Sequence, residues 1–251
     1  MIKKYSFCVV TLCLNLEYRQ NGAVVVRNAI PRALIHTVVE AIGDVYRSEG
    51  FSGSLEEIIC RLNVENQPLL YQLHLKTSLR EIFKPVEACL EGLFRELLNT
   101  NYHELVGNSS GYLLGLPQDK RLVYDFHQEC HYMKRVNPIL TAHFPLNVAC
   151  TSANGAMSYL NGSSALGALP YQKSRIANGY TNLLPIDIEK IVEDYEEIQP
   201  ELNLGDCLFF DEFCIHKSNY NASDLPRLCG IFRVTSDKSA NSHTRISPDN
   251  L

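Results

Sequence analysis

The chain has 251 residues, 45% of them hydrophobic and 20% charged, with a formal net charge of −5 and a pI near 5.9. That apolar share supports a packed core and the length suits one domain over 1–251, while the acidic balance excludes broad electrostatic binding to DNA, RNA or an anionic membrane. Nine cysteines, odd in number and without CxxC pairs, read as the reduced thiols of a cytoplasmic protein.

The opening stretch, MIKKYSFCVVTLCLNL, mimics a secretory signal, yet no small-x-small cleavage site follows and the run is too short to span a bilayer. An edge strand or short helix packed on the core is expected there, with no membrane partner. AVVVR at 23–27 reads as a strand. Pro31 then stands near a helix start, where its missing N–H costs little, ahead of Leu34, Val38, Ile42 and Val45 on one helical face. Ser54-Leu55-Glu56-Glu57 is a capping-box pattern that opens a second helix through Ile58, Ile59 and Leu62. A third helix is expected from Leu79 to Leu98, with Ile82, Val86, Leu90, Leu93 and Leu97 at helical spacing and Pro85 kinking it. Helical support thus falls mainly in 30–100.

From Gly111 onward the pattern shortens to strands separated by Gly, Asn, Pro and Ser turns. The candidates are LVYDFHQE (122–129), ILTAHFPLNVAC (139–150), AMSYL (156–160), DCLFFDEF (206–213) and CGIFRVT (229–235). The polar segment 171–203 contains the acidic run EKIVEDYEEIQPE, expected to be a solvated helix between strands. Helices first and strands later predict a mainly β fold with helical cover: a cupin-like jelly roll, or double-stranded β-helix, mainly in 111–236.

Two distant stretches fit together as a metal site. If VYDFHQECHYM is a strand, His127 and Glu129 project to the same side, and His216 in GDCLFFDEFCIHKSNYNASDLPR supplies a second imidazole. Two histidines and one carboxylate on one face of an ion form the facial triad of non-heme Fe(II) oxygenases. His131 would share that face, so His127, Glu129 and His131 are an alternative zinc set. A flat row along one strand spans about 13 Å and closes poorly around an ion, which makes His131 a pocket-lining residue instead. His143 and Tyr132 read as core. If 219–224 form a hairpin loop with Ser218 opposite Leu225, His216 lies opposite Arg227. An arginine fork beside the metal suits a dicarboxylate co-substrate, and Ser218 adds a hydroxyl on the same face. Arg233 has the same parity but lies six residues further, roughly 20 Å along an extended strand, and reads as the poorer anchor.

HQECHYM, then NGAMSYLNGSSALGALP at 154–170, then 205–227 resemble, in order and spacing, the phytanoyl-CoA dioxygenase family. NGAVVVRNAIPRALIHTVVEAI resembles the family's opening strand and helix, so the likeness runs from about residue 20 to 236. The resemblance implies a double-stranded β-helix, Fe(II) on His127, Glu129 and His216, and 2-oxoglutarate with its distal carboxylate on Arg227, helped by Ser218. It further implies O2-dependent hydroxylation of a small-molecule substrate with release of succinate and CO2. Three features depart from the family pattern: Glu129 replaces Asp, the turn Asn161-Gly162-Ser163-Ser164 lacks the usual Pro and His, and the chain has no Trp. A glutamate, rather than Gly or Ala, argues against a halogenase. Two other readings stand beside this one: a cupin-like metal enzyme that does not use 2-oxoglutarate, and a non-catalytic binding module on the same fold.

Overall fold

The computed structural model describes residues 13–78, 80–106, 111–133, 136–176 and 181–238. The element expected before residue 13 lies outside them, and residues 13–21 form a helix, α1. Four further helices precede the main run of strands: α2 (Arg32–Ser48), α3 (Leu55–Glu65), α4 (Gln67–Thr77) and α5 (Arg80–Leu97). The predicted capping box at the start of α3 is present, with Ser54 and Glu57 bonding each other's backbone N–H, and Pro85 lies inside α5.

The large antiparallel sheet runs β1 (Ala23–Val26), β9 (Cys207–Asp211), β4 (Leu140–Pro145), β11 (Arg227–Thr235) and β2 (Glu104–Leu105); β3 (Gly111–Gly115) also pairs with β11. A second sheet joins β10 (His216–Lys217), β5 (Ser158–Leu160) and β8 (Glu197–Ile198), and β6 (Tyr171–Arg175) pairs with β7 (Thr181–Pro185). The acidic run begins in the short, largely exposed helix α6 (Ile188–Asp194) and continues into β8. Among the described residues no helix is long and apolar enough to cross a membrane.

Side chains alternate across a strand, so each strand of the large sheet serves two environments. Val24, Ala142, Phe144, Phe209 and Phe232 belong to the same buried cluster as Ile35, Ile42, Phe83 and Phe94 of the helices. Phe94 packs edge-on against Phe209 and Phe232, with ring centroids 6.2 and 6.1 Å away. The alternate residues, among them His143, Phe210, Arg227, Ile231 and Arg233, line a cavity on the other side. The helices therefore cover one face of the sheet and leave the second face for chemistry.

Two expectations are corrected here. LVYDFHQE is not a strand: within 122–129 only His127 makes a bridge, to His216. The hairpin register that set His216 opposite Arg227 does not form either. His216 pairs with Tyr159 of β5, whereas Arg227 pairs with Gly115 of β3. Instead of a hairpin turn, the buried amide of Asn221 donates to the carbonyls of Gly115 and Leu225 and ties the intervening loop to β3.

Gly230 marks how tightly the helix-covered face is built. A Cβ there would sit 2.2 Å from the Phe144 ring, so Gly230→Ala forces that buried ring out of its place. A destabilisation of about 1–3 kcal/mol is expected, the range for overpacked cores, and denaturant unfolding measures it.

Candidate metal centre

The backbone of His127 and His216 exchanges two hydrogen bonds, N–H to carbonyl at 2.9 and 3.1 Å. This antiparallel bridge fixes the two imidazoles side by side, centroids 4.2 Å apart. Each Nδ1 faces a main-chain carbonyl, Asp125 at 2.7 Å and Cys214 at 2.9 Å. A carbonyl only accepts, so the proton sits on Nδ1 and the Nε2 lone pair is left for an ion. After His127 the chain turns into a 3-10 helix, Glu129–His131, and that turn brings the Glu129 carboxylate to the histidines. Ligand atoms of His127, Glu129 and His216 all lie within 4.8 Å of one another, a spacing that one cation can bridge.

Glu129 is 2% exposed. Burial opposes its ionisation, but the charge and the two hydrogen bonds of Arg233 prevail, and the carboxyl pKa is held well below its usual value. Arg233 forms a fork to both oxygens, Nε to Oε2 at 2.9 Å and Nη2 to Oε1 at 2.7 Å. His127 has its pKa lowered by loss of water around the ring and by the neighbouring His216. These shifts favour the forms that bind cations, a bare carboxylate and a neutral imidazole.

Gln128, fully buried between two of the donors, was missed by sequence reasoning. Its amide donates to the carbonyls of Gly167 and Phe213 and accepts from the N–H of Leu169. It thereby fastens the His127–Glu129 segment to the 163–169 turn and to the approach to His216. Asp211 shapes that approach, its Oδ1 accepting from Ser164 Oγ and from the N–H groups of Phe213 and Cys214. The available signal was a lone amide between two ligand candidates, where a solvated loop has no need of one.

The donors open onto a cavity of about 370 Å³ that also receives Ser218, Arg227 and Arg233. Arg227 is 6% exposed and donates to the Asn154 carbonyl and to Cys229 Sγ. Its guanidinium lies against Gly115, where an added Cβ would meet Nη2 at 3.1 Å. Arg233, set aside by the strand-length argument, is the arginine in contact with a donor, because Glu129 reaches it from the 3-10 turn rather than along a hairpin. His131 does not line the cavity; it is buried with its ring 4.5 Å from that of Tyr171. His143 and Tyr132 are buried, as expected of core residues, and also border the cavity.

The family model described as phytanoyl-CoA dioxygenase matches residues 18–229. No curated protein sequence matches the chain. Among solved structures, EvdO2 from Micromonospora carbonacea var. aurantiaca, complexed with 2-oxoglutarate, is similar at 16% identity with a TM-score of 0.63, covering 89% of this chain and 90% of that one. The epimerase SnoN from nogalamycin biosynthesis, in complex with Fe3+, alpha ketoglutarate and nogalamycin RO, gives 17% identity and a TM-score of 0.59 over 90% and 84% of the two chains. EctD from S. alaskensis with 2-oxoglutarate and 5-hydroxyectoine gives 16% identity and a TM-score of 0.59 over 94% and 78%. At these identities the likeness is one of fold, and it supports the cupin-type architecture. The family match, spanning most of the chain, carries the assignment: this protein belongs to the phytanoyl-CoA dioxygenase family of Fe(II)- and 2-oxoglutarate-dependent oxygenases.

Proposed function

We propose that this chain oxidises a neutral, largely apolar small molecule, hydroxylating it with Fe(II) on His127, Glu129 and His216 and with 2-oxoglutarate anchored by Arg227 and Ser218. The observation that carries the reading is the convergence of three cation donors within 4.8 Å on a cavity that also contains a buried arginine. When bound, the iron and 2-oxoglutarate supply the oxidising chemistry, with O2 consumed and succinate and CO2 released. The chain's own part is positional. The locked imidazole tautomers aim two lone pairs, and the Arg227 fork suits a carboxylate.

The substrate class follows from the chamber wall. Leu75, Leu113, Leu122, Val123, Tyr124 and Met157 line it. Among the described residues lining it, Arg233 is paired with Glu129 and Lys217 with Glu197, which leaves Arg227, the cation proposed to hold 2-oxoglutarate, with none over for a second anion. A coenzyme A ester carries phosphates that need cations, so a neutral compound fits better. With no disulfide among the described cysteines, the cytoplasm is the fitting compartment.

His127→Ala and His216→Ala are each expected to abolish stoichiometric metal binding, because each removes one of three protein donors; anaerobic dialysis with Fe(II) checks this. Wild type should develop a visible charge-transfer band only with Fe(II) and 2-oxoglutarate together, and a band independent of 2-oxoglutarate would favour the cupin-like alternative. Arg227→Ala should weaken 2-oxoglutarate binding by at least roughly tenfold, since a charge-assisted contact contributes about 1.5–3 kcal/mol. Calorimetry measures it, and Lys at 227 should restore only part because it lacks the planar fork. In a succinate-release screen, apolar neutral compounds should stimulate turnover and coenzyme A esters should not.

A further inference from the structure

Arg233 touches neither ligand of the site proposed above, yet it takes one N–H of its fork to each oxygen of the buried Glu129. Each carboxylate oxygen has two lone-pair positions, so an ion can still be accepted. The oxygen nearer His216 is Oε1, 3.7 Å from Nε2. What Arg233 changes is the charge. Two neutral imidazoles and one carboxylate would meet a divalent ion with one negative charge; with Arg233 in place the donor set is neutral. The other charged groups of the cavity do not restore the balance. Asp119 is paired with Arg121, Lys217 with Glu197, and Arg227 adds a second buried cation. Charges a few ångströms apart in a chamber of low dielectric are poorly screened, so a bare divalent ion is disfavoured there and a dianion arriving with it is favoured.

We propose that Arg233 couples the two ligands of the site: by neutralising Glu129 it keeps the bare metal weakly held and makes metal and 2-oxoglutarate bind as a pair. This rests on the metal centre proposed above. Linkage requires the strengthening to be reciprocal, the ion tightening 2-oxoglutarate by the same factor.

The test uses Co(II) in place of Fe(II), with dissociation constants measured by calorimetry with and without saturating 2-oxoglutarate. Arg233→Gln keeps a donor beside Glu129 but removes the charge; Arg233→Lys keeps the charge. Assayed at about pH 8, well above the ordinary carboxylate range so that Glu129 is ionised in both proteins, Arg233→Gln is expected to hold Co(II) alone more tightly than wild type and to lose at least roughly tenfold of the coupling factor, within the usual span of coupling energies. Arg233→Lys should retain wild-type coupling. Unchanged coupling in Arg233→Gln, or a weaker hold on Co(II) alone, overturns the proposal. Should Arg233→Gln not fold, wild type decides: 2-oxoglutarate must strengthen Co(II) binding several-fold more than pyruvate, which offers the same keto-acid chelate with one charge fewer. Equal strengthening overturns it. A wild-type protein that binds no Co(II), with or without 2-oxoglutarate, overturns this inference and the proposed function together.

Discussion

A carboxylate taken out of water must be met by a positive charge, and much of this molecule is arranged around meeting that need at Glu129. The residue lies in a 3-10 turn rather than on a strand, so no sheet ladder holds it. Its position is secured from three sides. The His127–His216 bridge anchors the residue two places before it, Gln128 bolts the intervening backbone to two neighbouring segments, and Arg233 reaches across from the large sheet. An unpaired buried carboxylate is strongly destabilising, so the sheet that supplies Arg233 and the turn that supplies Glu129 depend on each other.

The division of the large sheet into two faces turns this local requirement into an architecture. One side of β4, β9 and β11 gives its phenylalanines to the helices. The other side gives polar and charged groups to the cavity, among them His143, Arg227 and Arg233. A single alternation of side chains thus separates support from chemistry. The helices stabilise the sheet without competing for the space in which ligands bind.

Much of this was legible in the sequence because it depends on local rules. Ser54 and Glu57 form the capping box their spacing implies, and the alternating apolar runs around Phe144, Phe209 and Phe232 are strands. His127, Glu129 and His216 were singled out by their chemistry, and the structure brings them together, although not by the geometry that sequence reasoning gave them. Parity along a strand was assumed for a segment that turns after its first ligand. The His216–Arg227 register failed for a related reason: β10 has two residues and takes its partners from β5 and His127, pairings between segments far apart in the chain. Nothing within 216–227 encodes them. Arg233 was weighed only as an anchor for the co-substrate, and its pairing with Glu129, made through space from another segment, has no local signal in the sequence.

The place of β11 has a consequence for how the molecule comes into being. It is the last strand among the described residues, yet it sits inside the large sheet, with β4 on one edge and β2 and β3 on the other. Until it is made, β4 keeps an open edge and Glu129 lacks its counter-charge. A nascent chain that already contains every metal donor therefore still lacks a finished sheet. With His127, Glu129 and His216 as the proposed ligands, the counter-charge that Glu129 needs is in place only once synthesis has passed residue 233.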